Sequence, residues 1–244
     1  MFICSVVLSS GLYNYTTKTD KYSCAYRNRV FRTTAASCAY LMSWTILILI
    51  ATVFVSYLAF DRPALKEMFV YYPYQIKVKN EWHRILTHAF IHADYTHLVL
   101  NAFVLWQFGT RLEGLMEQIS GPSSFALLYF GGAVFAAIPG MLRHHDHPHY
   151  KSLGASGAVS AVLIAYILYF PTSKLLLFLI VPLPAFVIGI LFFVYEHQMD
   201  KRSQGNIAHD AHLWGGLFGL IFTILINPKV IPMFLKSISE FLSF

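Results

Sequence analysis

Charge is scarce in this chain: of 244 residues only 12% are Asp, Glu, Lys or Arg, against 57% hydrophobic. A soluble domain carries roughly twice that share of charge, so the composition excludes a soluble enzyme or solvated binding module and is that of a polytopic membrane protein. Cysteine is scarcer still. Cys4, Cys24 and Cys38 all precede residue 40, without CxxC or other ligand spacing, and support neither a redox nor a metal argument. A basic face suited to nucleic acid is also missing. The net charge of +6 comes from Lys and Arg scattered singly through connecting segments, as membrane-flanking charges are. No transmembrane repeat is present, and the short apolar run Phe2 to Leu8 lacks the basic flank and the length of a signal peptide or anchor.

What the chain has is apolar length. Tyr40 to Phe60 reads as a first span, followed by spans at 96–112, 123–142, 155–170, 174–195 and 210–227. Residues 1–35, with Lys18, Lys21, Arg27, Arg29 and Arg32, form an N-terminal extension, cytoplasmic by the positive-inside tendency. Six spans leave nine Lys and Arg on each side, so that cluster alone sets the orientation. The membrane domain runs over 36–227. Within it, the aromatic-rich connection Asp61 to Tyr95 suits a segment lying at the interface. Residues 228–244 place Phe234, Leu235, Ile238, Phe241 and Leu242 on one helical face, an amphipathic tail.

The organising stretch is Gly154-Ala-Ser156-Gly157, at the mouth of an apolar run that ends at Pro171. Two readings stand. Ser156 is a small residue opening a helix where close packing is needed, or it is a nucleophile at the positive end of a helix dipole, beside backbone N–H groups free to hold an oxyanion. The second span opens with His97 and Asn101, which lie about 40° apart on one helical face and so point into one cavity. The sixth opens with His209, Asp210 and His212. Small residues recur every fourth position at Ala211, Gly215 and Gly219, at Gly157, Ala161 and Ala165, and at Gly132, Ala136 and Gly140, stripes that let helix backbones approach. Contact of the first two stripes brings the Ser156 hydroxyl and the His212 imidazole together as nucleophile and base. Spans two, four and six run in one direction, so His97, Asn101, Ser156 and His212 share a membrane face.

These motifs, with Trp82-His83-Arg84, Thr87-His88, His92 and Gly109-x-x-x-Glu113, resemble the rhomboid intramembrane serine proteases across residues 40–227. The resemblance implies an all-α membrane protein with a bacterial-type six-transmembrane-helix bundle. It implies a serine endopeptidase, a hydrolase cutting membrane-anchored proteins with a Ser156–His212 dyad and no third acid. Asp210 lies about 200° around the helix from His212 and is badly placed to orient it. The oxyanion pocket would comprise the Ser156 N–H, the Asn101 amide and His97, with Gly154 beside them; Gly157, Gly215 and Gly219 would serve helix packing. The implied partners are transmembrane protein substrates and the lipid bilayer, with no cofactor, metal or nucleic acid. The implied location is a bacterial plasma membrane with the site toward the extracytoplasmic face. One departure concerns position 160, where many members carry an aromatic packed on the catalytic imidazole and this chain has Ser160; Trp214 or a hydrogen bond would have to hold His212 instead. The run His144, His145, His147 and His149 reads as a solvated loop of pH-dependent charge rather than a metal site. Alternatives are an inactive rhomboid-like protein binding transmembrane clients, which would normally lack Ser156 or His212, and a small transporter, which would show acids interrupting the apolar spans.

Overall fold

The computed structural model describes residues 6–8, 43–177, 180–202 and 208–243. Apart from Val6–Leu8, the extension 1–35 lies outside the described residues, as do Cys4, Cys24 and Cys38. Helix α1 spans Trp44–Phe60, and its first turn is capped from another element. Glu113 accepts the Ser43 hydroxyl at 2.6 Å and the N–H groups of Trp44 at 2.6 Å and Thr45 at 3.0 Å. A carboxylate there answers orphan donors and the positive helix end together. One turn earlier, a Cβ at Gly109 would sit 3.0 Å from the Thr45 side chain. Gly109-x-x-x-Glu113 is thus a lock between two helices.

The connection to the next long helix is built rather than loose. It contains α2 (Pro63–Phe69), α3 (Pro73–Lys79), α4 (Arg84–Thr87) and a 3-10 turn at His88–Phe90. Proline opens α2 and α3, where its missing N–H costs nothing. The buried Arg84 donates to the carbonyls of Glu67 at 2.6 Å and Val70 at 3.0 Å, and to Glu81 at 2.6 Å. Helix α5 (Tyr95–Val104) continues through a wide π turn, Leu105–Gly109, into α6 (Thr110–Ser120), and is followed by α7 (Ser124–His144) and α8 (Ser156–Tyr169).

The stretch expected as span five, 174–195, begins differently. Strands β2 (Lys174–Leu177) and β3 (Val181–Pro184) form an antiparallel hairpin, and β1 (Val6–Leu8) pairs with the other edge of β2. This small sheet corrects the all-α expectation. Pro182 and Pro184 supply the reason: they lack the N–H a helix interior needs, and on the edge strand β3 their alternate positions leave the ladder to their neighbours. Helix α9 runs over Ala185–Arg202, starting where the prolines end. Helices α10 (His209–Ile226) and α11 (Val230–Leu242) complete the chain. In α11 Val230 is buried while Leu235, Phe241 and Leu242 remain exposed. Ser124–His144 and His209–Ile226 are long and apolar enough to cross a membrane, while the apolar helices Trp44–Phe60 and Ser156–Tyr169 are shorter.

Helix α8 is the axis. Every residue from Gly157 to Leu168 is buried, against α7 on one side and α10 on the other. A methyl group on Gly157 would overlap Ala136, one on Gly215 the Gly157 carbonyl, and one on Gly219 the Ala161 carbonyl. Gly140 departs from its stripe and faces the Tyr71 ring, whose hydroxyl donates to the Ala137 carbonyl at 2.6 Å. In thermal unfolding in detergent, Gly219→Val is expected to destabilise by at least about 1–3 kcal/mol, because backbone cannot yield as a side chain does. Gly114→Ala, with open space around it, should stabilise by about 0.5–1 kcal/mol through helix propensity.

Candidate active site

Ser156 is the first residue of α8, and the turn before it is held from two sides. The Gly154 N–H donates to the His88 carbonyl at 3.0 Å, and Gly154 has φ 120°, a conformation that strains residues with a side chain. A Cβ there would also lie 2.6 Å from His97 Cε1, so glycine lets the His97 ring rest against the backbone. The bond from Val159 N–H to the Ala155 carbonyl, 2.9 Å, closes the first turn of α8. The N–H groups of Ser156, Gly157 and Ala158 therefore have no partner within the helix.

His92 holds the other side. Ser56 gives its hydroxyl proton to the Phe90 carbonyl at 2.9 Å, so its 2.9 Å contact with His92 Nδ1 requires the proton on that nitrogen. The bare Nε2 then accepts the Ala155 N–H at 3.3 Å. Burial pushes His92 down to about 3, with His97 and His88 adding to it, and burial pushes His88 down to about 4. Both rest neutral. The sequence contained these residues, but their role as a cradle for the Ser156 turn needed the partners to be seen.

Across the α8–α10 contact, His212 Nε2 lies 2.8 Å from Ser156 Oγ. His97 stands in the first turn of α5, fixed by Asp94, whose carboxylate caps its N–H at 2.8 Å. Asn101, buried one turn further on, donates one amide N–H to the His97 carbonyl at 3.0 Å, which leaves its second donor. Ser160 is buried and donates to the Ser156 carbonyl at 2.7 Å. Trp214 stacks with Phe135 at 5.5 Å between centroids. Asp210 binds the Ala211 N–H at 2.8 Å and Arg143 at 3.4 Å; Arg143 also reaches Asp200 at 3.1 Å.

An acid does stand beside His212, and it comes from α9. Glu196 is fully buried, and one of its oxygens lies 2.6 Å from His209 Nδ1 and 3.1 Å from His212 Nδ1. Starting α9 at Ala185 places Glu196 within a helix, one residue beyond the 174–195 bounds expected for the fifth span. The three ligand-type atoms converge within 4.8 Å. Separations of 2.6 and 3.1 Å are shorter than the ~3.4 Å edges of a zinc tetrahedron, so the trio suits proton sharing better than metal. In the histidine run, His144 stacks on Tyr150 at 3.8 Å, and its Nδ1 lies 3.1 Å from that of His147.

Residues 79–229 match the family model described as the Rhomboid domain. The chain is 28% identical over 186 residues to RHOMBOID-like protein 12, mitochondrial, of Arabidopsis thaliana, covering 70% of this chain and 54% of that one. To Rhomboid protein 1, mitochondrial, of Saccharomyces cerevisiae it is 32% identical over 154 residues, 60% of this chain and 42% of that one. To Rhomboid protease GluP of Bacillus subtilis it is 31% identical over 144 residues, 59% and 26% respectively. The chain thus spans about half or less of the length of these three relatives. The mitochondrial relatives overturn the expected bacterial plasma membrane and the extracytoplasmic face named with it.

Neutral His88 and His92 make stability depend on acidity with a definite sign. The unfolded chain takes up their protons near pH 6.5 and the folded chain only near 4 and 3, so their contribution is complete above about pH 6.5 and is lost as pH falls below it. Each contributes a slope of up to about 1.4 kcal/mol per pH unit. Thermal midpoints at pH 7 and pH 5 should differ less in His92→Gln, which keeps a donor and an acceptor but does not titrate.

Proposed function

This chain belongs to the rhomboid family, and we propose that it acts there as an intramembrane serine endopeptidase, cleaving peptide bonds in or near transmembrane segments of other membrane proteins. The observation that carries the reading is the 2.8 Å contact between Ser156 Oγ and His212 Nε2, made across two helices whose stripes of small residues serve to bring them together. In this reading Ser156 attacks the peptide carbonyl while His212 takes the hydroxyl proton and later returns it to the leaving amine. The Ser156 N–H at the start of α8, the second Asn101 donor and the His97 ring face the charge that develops on the carbonyl oxygen. The inactive-relative alternative is disfavoured by having both reactive side chains present and in contact.

In this reading the helices α1, α5 with α6, α7, α8, α9 and α10 would be the six spans of a multi-pass protein, of which α7 and α10 are long and apolar enough to cross a membrane by themselves. The names of relatives from a plant, a yeast and a fish support a mitochondrial membrane as its location. Substrate would reach the site through the bilayer.

Labelling with a serine-directed fluorophosphonate tests the reading without knowledge of the substrate. Wild type should label, and Ser156→Ala and His212→Ala should lose both labelling and cleavage of a model transmembrane substrate. Cleavage retained by either variant removes that residue from the mechanism. Asn101→Ala should lower turnover about a hundredfold, the usual effect of losing one oxyanion donor; an unchanged rate would exclude that role.

A further inference from the structure

We infer that Glu196 is a positioning residue for the reaction: its buried carboxylate orients the His212 imidazole, and His209 holds that carboxylate in place. The inference rests on the Ser156–His212 reading and adds to it a support that comes from α9. An uncompensated carboxylate inside an apolar helix is costly, and such groups persist where they pair and serve function. Glu196 is fully buried: one oxygen accepts from His209 Nδ1 at 2.6 Å and lies 3.1 Å from His212 Nδ1, near enough to act on it by charge though not aligned as a hydrogen bond, while its other oxygen has no hydrogen-bond partner among the described residues. The two histidines are three residues apart on α10, hence neighbours on one face, and a single carboxylate reaches both.

The geometry specifies a tautomer. To accept the Ser156 proton, His212 Nε2 must be bare, so its remaining proton must sit on Nδ1. A carboxylate facing Nδ1 favours that arrangement and also the imidazolium that forms when Nε2 takes up the proton. No other group on the described residues performs this task. Ser160, where an aromatic would pack, turns to the Ser156 carbonyl. Trp214 packs on Phe135, and Asp210 is engaged by Arg143 and its own helix. Among the described residues, the ring paired with His212 is that of His209, edge-on at 6.0 Å.

The test is Glu196→Gln, which keeps size and an acceptor but removes the charge. With a model transmembrane substrate in detergent micelles, kcat should fall on the order of a hundredfold or more, with KM within about twofold of wild type. The thermal midpoint should stay close to that of wild type. In a folded variant, kcat within threefold of wild type overturns the inference. If Glu196→Gln does not fold, Glu196→Asp decides: charge is kept on a shorter arm, and kcat should fall tenfold or more with KM unchanged, whereas undiminished kcat overturns the inference. A readout independent of proteolysis separates this failure from that of the protease reading. Nitrogen-15 histidine spectra of Ser156→Ala, assigned by difference against Ser156→Ala with His212→Gln, should show His212 bearing its proton on Nδ1. Adding Glu196→Gln should abolish that preference, and a preserved preference overturns the inference even if the protein never cleaves.

Discussion

The closeness of two backbones governs this molecule. Ser156 carries its hydroxyl on a single carbon, so its distance from His212 is set by how near α8 and α10 come, and that is set by what the facing residues lack. Gly215 lies over the Gly157 carbonyl and Gly219 over that of Ala161, each with no room for a methyl group. In an apolar medium helices gain little from hiding apolar surface, and dispersion between closely fitted backbones must hold them. The 2.8 Å contact between hydroxyl and imidazole is therefore a consequence of main-chain packing.

Ser156 and His212 each have their own support. The Ser156 turn hangs from the interfacial segment, through the His88 carbonyl and the His92 ring, with Ser56 of α1 behind it. His212 is served by α9 and, next to it in sequence, by the Asp210–Arg143 contact with α7. Three charged groups that interrupt the apolar body have partners: Arg84 has three acceptors, Glu113 three donors, and one oxygen of Glu196 lies against two imidazoles. At low dielectric such contacts are strong and their loss expensive, which gives them geometric authority over the site.

Much of this could be read from residue spacing. Stripes of small residues named the helix faces that meet, and the common direction of spans two, four and six placed His97, Asn101, Ser156 and His212 at one end. The hairpin at 174–184 could not be distinguished from helix by hydropathy, since short apolar strands and helices share composition. The signal was Pro182 and Pro184, two apart, which suits an edge strand and delays the helix to Ala185. Reading that stretch as helix left Glu196 just past the end of a span, where a charge looks unremarkable. Local spacing was also silent on Gly140, whose partner is a tyrosine from a distant segment.

The residues at 160 and 196 bear on the same physical problem. A ring stacked on an imidazole limits its tilt but is indifferent to which nitrogen holds the proton. A carboxylate facing Nδ1 is not indifferent, because only the protonated nitrogen answers it, and it also compensates the positive charge that arises when Nε2 takes a proton. The cost is a charge buried in an apolar helix, and His209 offsets it by donating to the same oxygen. In the role proposed for Glu196, orientation comes from the carboxylate and position 160 needs no large side chain. Ser160 is small enough to return its hydroxyl to the carbonyl of Ser156, one turn back along α8.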